Sequence, residues 1–144
     1  MNNSGFGAVI ALVCVAGLSY AQSNAFDATA EQRDVRAAIE KFARLRNLHN
    51  GTAVAETYTW DADYIGWDEL LVHGRDTLAS MWNGVTGEAR RTINSVDALT
   101  PNIAVVRVRA EFSDTPSVLN ETFVVIWKDR QWLITTHEAA LSPP

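Results

Sequence analysis

The sequence predicts an α+β fold in which helices come first and a mainly antiparallel sheet follows. Three observations carry this. Apolar residues recur at helical spacing from Val35 to Leu45, and again through Leu78 and Trp82 between Arg75 and Val85. From Ala89 onward the chain is a series of β-branched and aromatic stretches broken by turn signals. The two kinds of pattern are segregated rather than alternating, which argues against a doubly wound parallel sheet.

The elements follow in order. Residues 1–21 carry no charged side chain, Phe6 to Leu18 is nearly all apolar or Gly, and Ser19-Tyr20-Ala21 supplies the small residues of a cleavage site. This pattern reads as a secretory signal, with a secreted or periplasmic mature chain and no membrane contact once it is removed. An uncleaved anchor is the alternative, although the apolar run falls short of the roughly 20 residues that span a bilayer. The only cysteine, Cys14, lies in this segment, so the mature chain has no disulfide, cysteine nucleophile or cysteine metal ligand.

Residues 22–28 read as a leader. Thr29, with Gln32 three positions on, is placed to cap a helix running to Leu48. Val35, Ala38, Ile39, Phe42 and Leu45 form its apolar face, and Glu31, Arg33, Arg36, Glu40, Lys41 and Arg44 occupy the others. Asn50-Gly51 ends it, and a short helix from Thr52 to Tyr58 follows. Two strands, Asp63–Trp67 and Leu70–His73, are expected around a turn at Asp68-Glu69. A third helix spans Arg75–Val85. Four strands complete the chain: Ala89–Leu99, Ile103–Phe112, Glu121–Trp127 and Gln131–Glu138, the last two forming a hairpin about Asp129-Arg130. The domain is placed at 29–139, with 140–144 as a tail.

At 144 residues and 47% hydrophobic, the chain suits one domain with an ordinary core. Its formal charge of −5 comes with no basic run or stripe, which argues against nucleic acid as a partner. Three dispersed histidines lack ligand spacing, so neither a metal nor a cofactor is expected.

Pairing Trp127 with Trp132 across the last hairpin fixes its faces by the period of two. One face carries Trp127, Trp132, Val125, Ile134, Phe123, Thr136, Glu121 and Glu138. The other carries Ile126, Leu133, Val124, Thr135, Thr122 and His137. Regular alternation therefore turns Glu138 inward with Trp132 and His137 outward, with Glu121 and Glu138 facing one another at the strand ends.

The order of elements resembles the SnoaL-like domains of the nuclear transport factor 2-like superfamily. The resemblance spans Glu31 to Glu138 and rests on Asn50-Gly51, Asp61-Ala62-Asp63, Gly74-Arg75, TPNIAVVRV and Trp132-Leu133-Ile134. It implies a cone-shaped curved sheet packed against about three helices and enclosing a cavity, often in a homodimer. Isomerases, dehydratases, polyketide cyclases and non-catalytic binders share that fold, so it leaves the reaction open. The isomerase set does not carry over: its general base falls at Gly66, its oxyanion-hole tyrosine at Phe42 and its protonated aspartate near Phe123.

The candidate acid/base groups are Glu121, Glu138 and His137, where a carboxyl at the end of an apolar cavity would have a raised pKa. The alternative for the glutamates is a wet strand end, or a bridge from Arg107 or Arg109. Trp60, Tyr64, Trp67, Trp82, Trp127 and Trp132 form a dense aromatic set. Trp60, Tyr64, Trp82, Phe123, Trp127 and Trp132 are taken as candidate ligand contacts. The expected function is binding of a small apolar or aromatic molecule. The alternatives are a cofactor-independent isomerase, dehydratase or cyclase, and an association module pairing two copies through the face bearing Arg107, Arg109 and Glu111.

Overall fold

The computed structural model describes residues 28–143. The segment read as a signal and the greater part of the leader lie outside the described residues. The chain forms α1 (Ala28–Asn47), α2 (Gly51–Ala55), β1 (Tyr58–Ile65), β2 (Leu71–His73), α3 (Arg75–Gly84), β3 (Ala89–Thr100), β4 (Ile103–Phe112), β5 (Val118–Lys128) and β6 (Gln131–Leu141). Six strands make one sheet in the order β2-β1-β6-β5-β4-β3. Every pairing is antiparallel except β1 with β6. None of the described helices is long and apolar enough to cross a membrane.

Helix α1 lays its predicted apolar stripe on the concave face of the sheet, burying Val35, Ile39 and Phe42 against Val96, Val106, Phe123, Val125 and Ile134. It begins at Ala28, so Thr29 lies inside it rather than capping it. After α1 the backbone turns through His49 at φ 54°, and the Asn50 side chain accepts the Ala53 N–H at 3.0 Å. Gly51 is required by a close approach: a Cβ there would stand 2.3 Å from the backbone nitrogen of Asn83 on α3. The Asn-Gly pair therefore both caps α2 and lets α2 and α3 touch.

The second helix is shorter than expected. It ends at Ala55, and Tyr58 already belongs to β1, because Thr57 to Trp60 is a β-branched and aromatic run and Ile134 N–H donates to the Thr57 carbonyl at 2.9 Å. Strands β5 and β6 are longer than expected, pairing Leu119 with Leu141. Glu121 is thereby mid-strand and buried, not at a wet end.

Irregular pairing gives the sheet its curl. β3 carries one extra residue against β4 between Ile93 and Ser95 and another between Ala98 and Thr100. β6 carries one against β5, since Val125 pairs with Ile134 but Val124 pairs with Thr136, leaving Thr135 as the bulge. The bulge corrects the face assignment. Beyond it Phe123 pairs with His137, Thr122 with Glu138 and Glu121 with Ala139. His137 is therefore inside, at 0% exposure, and Glu138 is outside and exposed.

Candidate functional site

Three strands and two helices converge on His137. Val106, Phe123 and His137 lie side by side across β4, β5 and β6, and Val108, Glu121 and Ala139 form the next inward row. His137 stacks on Phe123, with centroids 4.0 Å apart, and meets the edges of Phe42 and Tyr64 at 5.5 and 4.9 Å. Trp82 of α3 lies parallel to the imidazole at 6.2 Å and edge-on to Phe42 at 5.8 Å. The Tyr58 hydroxyl stands 2.8 Å from His137 Nδ1. Burial pushes the Tyr58 hydroxyl well above its ordinary range, with the Glu121 charge adding to the effect, so it stays protonated and donates to Nδ1. His137 then carries its proton on Nε2, 3.7 Å from Glu121 Oε1. Burial depresses the imidazole pKa despite the neighbouring carboxylate, which leaves it neutral.

Glu121 is bridged not by Arg107 or Arg109 but by Arg91 from β3. Arg91 Nε donates to Oε2 at 2.8 Å and Nη2 to Oε1 at 3.0 Å, a bidentate pair. Small neighbours make the reach feasible. Arg91 pairs with Ala110 on β4, so its side chain crosses that one strand past a methyl group to reach Glu121 on β5, which Ala139 of β6 flanks on the far side. Arg107 instead pairs with Asp97, and Arg109 and Arg90 with Glu111, on the outer face. Burial alone would raise the Glu121 pKa, but His137 and the charge and hydrogen bonds of Arg91 outweigh it and hold the carboxyl at about 2. The raised pKa expected of it is not found. Tyr64, pushed up to about 12 by burial and then by Glu121, is also un-ionised at neutral pH.

A second buried guanidinium belongs to Arg46 near the end of α1. It is 3% exposed, donates from Nη1 to the Gly87 carbonyl at 2.8 Å and lies over the Trp82 ring at 5.6 Å. Burial, and then repulsion from Arg91, lowers its pKa, while Glu121, Tyr64 and Asp114 oppose the shift. Arg46 lines a pocket of about 570 Å³ at the open end of the curled sheet, whose wall includes Trp67, Val85, Phe112, Leu119 and Leu141, with Asp114 on its rim. The volume is within the range of small-molecule sites.

The sequence candidates separate cleanly. Tyr64, Trp82, Phe123, Glu121 and His137 come together in this cluster. Trp60 is exposed on β1 beneath the Arg75 guanidinium, 5.3 Å from its ring centroid. Trp127 and Trp132 pack edge-on at 5.7 Å near the start of α1, five residues up β6 from His137 and on the order of 15 Å away. Arg46, Arg91 and Tyr58 were missed. Among the described residues no group of three His, Cys, Asp or Glu side chains is placed to hold a metal ion.

Neither a family sequence model nor a curated protein matches the chain. Solved structures do. The chain is similar to a domain of unknown function with a cystatin-like fold from Nostoc punctiforme, with TM-score 0.72, 17% identity, and 81% of this chain and 80% of that one covered. It is similar to a ketosteroid isomerase-like protein from Erwinia carotovora atroseptica, with TM-score 0.68, 22% identity and coverage of 79% and 98%. It is also similar to an NTF2-like protein of unknown function from Shewanella baltica, with TM-score 0.66, 14% identity and coverage of 81% and 98%. The fold is that of the NTF2-like, or nuclear transport factor 2-like, proteins.

Proposed function

We propose that this chain binds a small, largely apolar or aromatic molecule in the pocket at the open end of the cone. The observation that carries the reading is the pocket of about 570 Å³, walled by Trp67, Val85, Phe112, Leu119 and Leu141 and floored by one buried cation, Arg46. A mostly apolar concavity with few polar groups is the usual form of a ligand site. Acid/base turnover has less support. Glu121, the best-placed carboxyl, is locked to Arg91 with its pKa near 2, and His137 beside it is sealed from solvent. The charge-free segment 1–21, read as a secretory signal, makes the proposal one of an exported binder.

The test is a thermal-shift panel of steroids, aromatic polyketides and fatty acids, run on the chain and on Val85→Trp, which fills the pocket. A ligand at about 100 times its dissociation constant adds roughly 2.7 kcal/mol to stability. A shift seen in the parent chain and lost in the variant supports the reading. A shift unchanged in Val85→Trp, or none from any compound, overturns it.

A further inference from the structure

The charges beneath the pocket do not balance. Arg46 and Arg91 are both buried, and among the described residues Glu121 is the carboxylate buried with them, since His137 is neutral and Asp114 is exposed at the rim. Burying a charge without a partner is costly. Both guanidinia also have an N–H group with no partner: Nε of Arg46 and Nη1 of Arg91. They rest on neighbouring rings, Arg46 on Trp82 and Arg91 on Phe42 at 5.6 and 5.3 Å, and those rings touch edge to face at 5.8 Å. Arg91 has spent two of its nitrogens on Glu121, whereas among the described residues the hydrogen bond that Arg46 makes is to the Gly87 carbonyl.

We infer that the pocket's ligand carries an anionic head, of the carboxylate class, which seats on Arg46 at the pocket floor while its apolar body lies against Trp67, Leu119 and Leu141. The inference rests on the pocket reading above and deepens it. An anion there supplies the missing negative charge beside the Arg46 guanidinium that lines the pocket. The guanidinium is already oriented by Gly87 and Trp82, so little side-chain freedom is lost on binding. Arg91 contributes at longer range, adding positive potential without giving up its hold on Glu121.

The test compares matched ligands that differ only at the head: dodecanoate against dodecanol, and 2-naphthoate against 2-naphthalenemethanol, by titration calorimetry at pH 7.5. A charge-assisted hydrogen bond in a desolvated site predicts that each carboxylate binds at least about tenfold more tightly than its alcohol. In Arg46→Met the preference collapses to near unity while the alcohols keep their affinity, and Arg46→Lys restores part of it. Alcohols and carboxylates binding equally well to the parent chain would sink the anion inference and leave the pocket reading standing. Binding of none of the four would remove both. Should Arg46→Met fail to fold, the parent chain's carboxylate-to-alcohol ratio decides alone.

Discussion

Arg91 and Glu121 form a bidentate ion pair whose two side chains are each only 3% exposed, on strands separated by β4. Two charges removed from water in this way gain little over an apolar pair, but each depends on the other. Arg91→Met or Glu121→Leu alone is expected to cost about 3–5 kcal/mol, because either leaves a lone charge in the interior. The double variant is expected to cost much less than the sum, and a double-mutant cycle by urea unfolding measures the coupling. Additive losses would mean that the pair is not coupled.

Acid should unfold this domain in two stages. Burial lowers the His137 pKa, so below its ordinary 6.5 the unfolded chain takes up a proton that the folded chain refuses, and stability falls with pH. Glu121 is depressed from 4.5 to about 2, so its contribution is complete above 4.5 and is lost as pH falls towards 2, on the order of 3 kcal/mol in all. The groups facing these two are Arg91 on β3, Tyr58 and Tyr64 on β1 and Arg46 on α1; both tyrosines are raised and stay un-ionised throughout that range. Glu111, also lowered by Arg90 and Arg109, is exposed and screened and adds little. Urea midpoints should be flat above pH 7, decline from about 6.5 and steepen below 4.5. His137→Gln should flatten the upper limb and also weaken the lower, because His137 helps Arg91 to hold the Glu121 carboxyl down.

The Tyr58 hydroxyl and His137 Nδ1 satisfy one another in a site that water does not reach. Tyr58→Phe keeps the ring packed edge-on against Phe42 but strands Nδ1, at an expected cost of about 1–3 kcal/mol. Nitrogen NMR on labelled histidine should show the proton on Nε2 in the parent chain, and loss of that single tautomer in Tyr58→Phe. A parent imidazole protonated on Nδ1 would reverse the donor assignment made for Tyr58.

Much of the fold was legible because periodicity reports burial. Val35, Ile39 and Phe42 read as one helical face, and Ile103–Phe112 was placed at its observed ends. The site was legible only in part. Arg46 falls four residues after Phe42 and seven after Ile39, on the same apolar face, so its burial was encoded in the spacing but hidden by its charge. Arg91 alternates with Ala89 and Ile93, two residues that face inward, which carried the same signal. The bulge at Thr135 had no such signal. Nothing in Ile134-Thr135-Thr136 breaks a β pattern, and one uncounted residue inverts every later side chain.

That inversion gives neighbouring residues opposite sensitivities. With the bulge, Ile134 and His137 point inward three residues apart, and Glu138 points out opposite Thr122. Glu138→Gln therefore changes an exposed side chain that has no hydrogen-bond or ion-pair partner among the described residues and should shift stability by no more than about 0.5 kcal/mol. His137→Gln removes a ring that packs on Phe123, Phe42 and Tyr64 and accepts from Tyr58, and should cost about 1–3 kcal/mol. A strand of unbroken alternation would give the reverse ranking, with Glu138 in the core and His137 in water. Unfolding free energies of the two variants, measured side by side in urea at pH 7.5, distinguish the bulged strand from the regular one. At that pH neither His137 nor Glu121 is being titrated by the solvent, so the difference reports packing and hydrogen bonding alone.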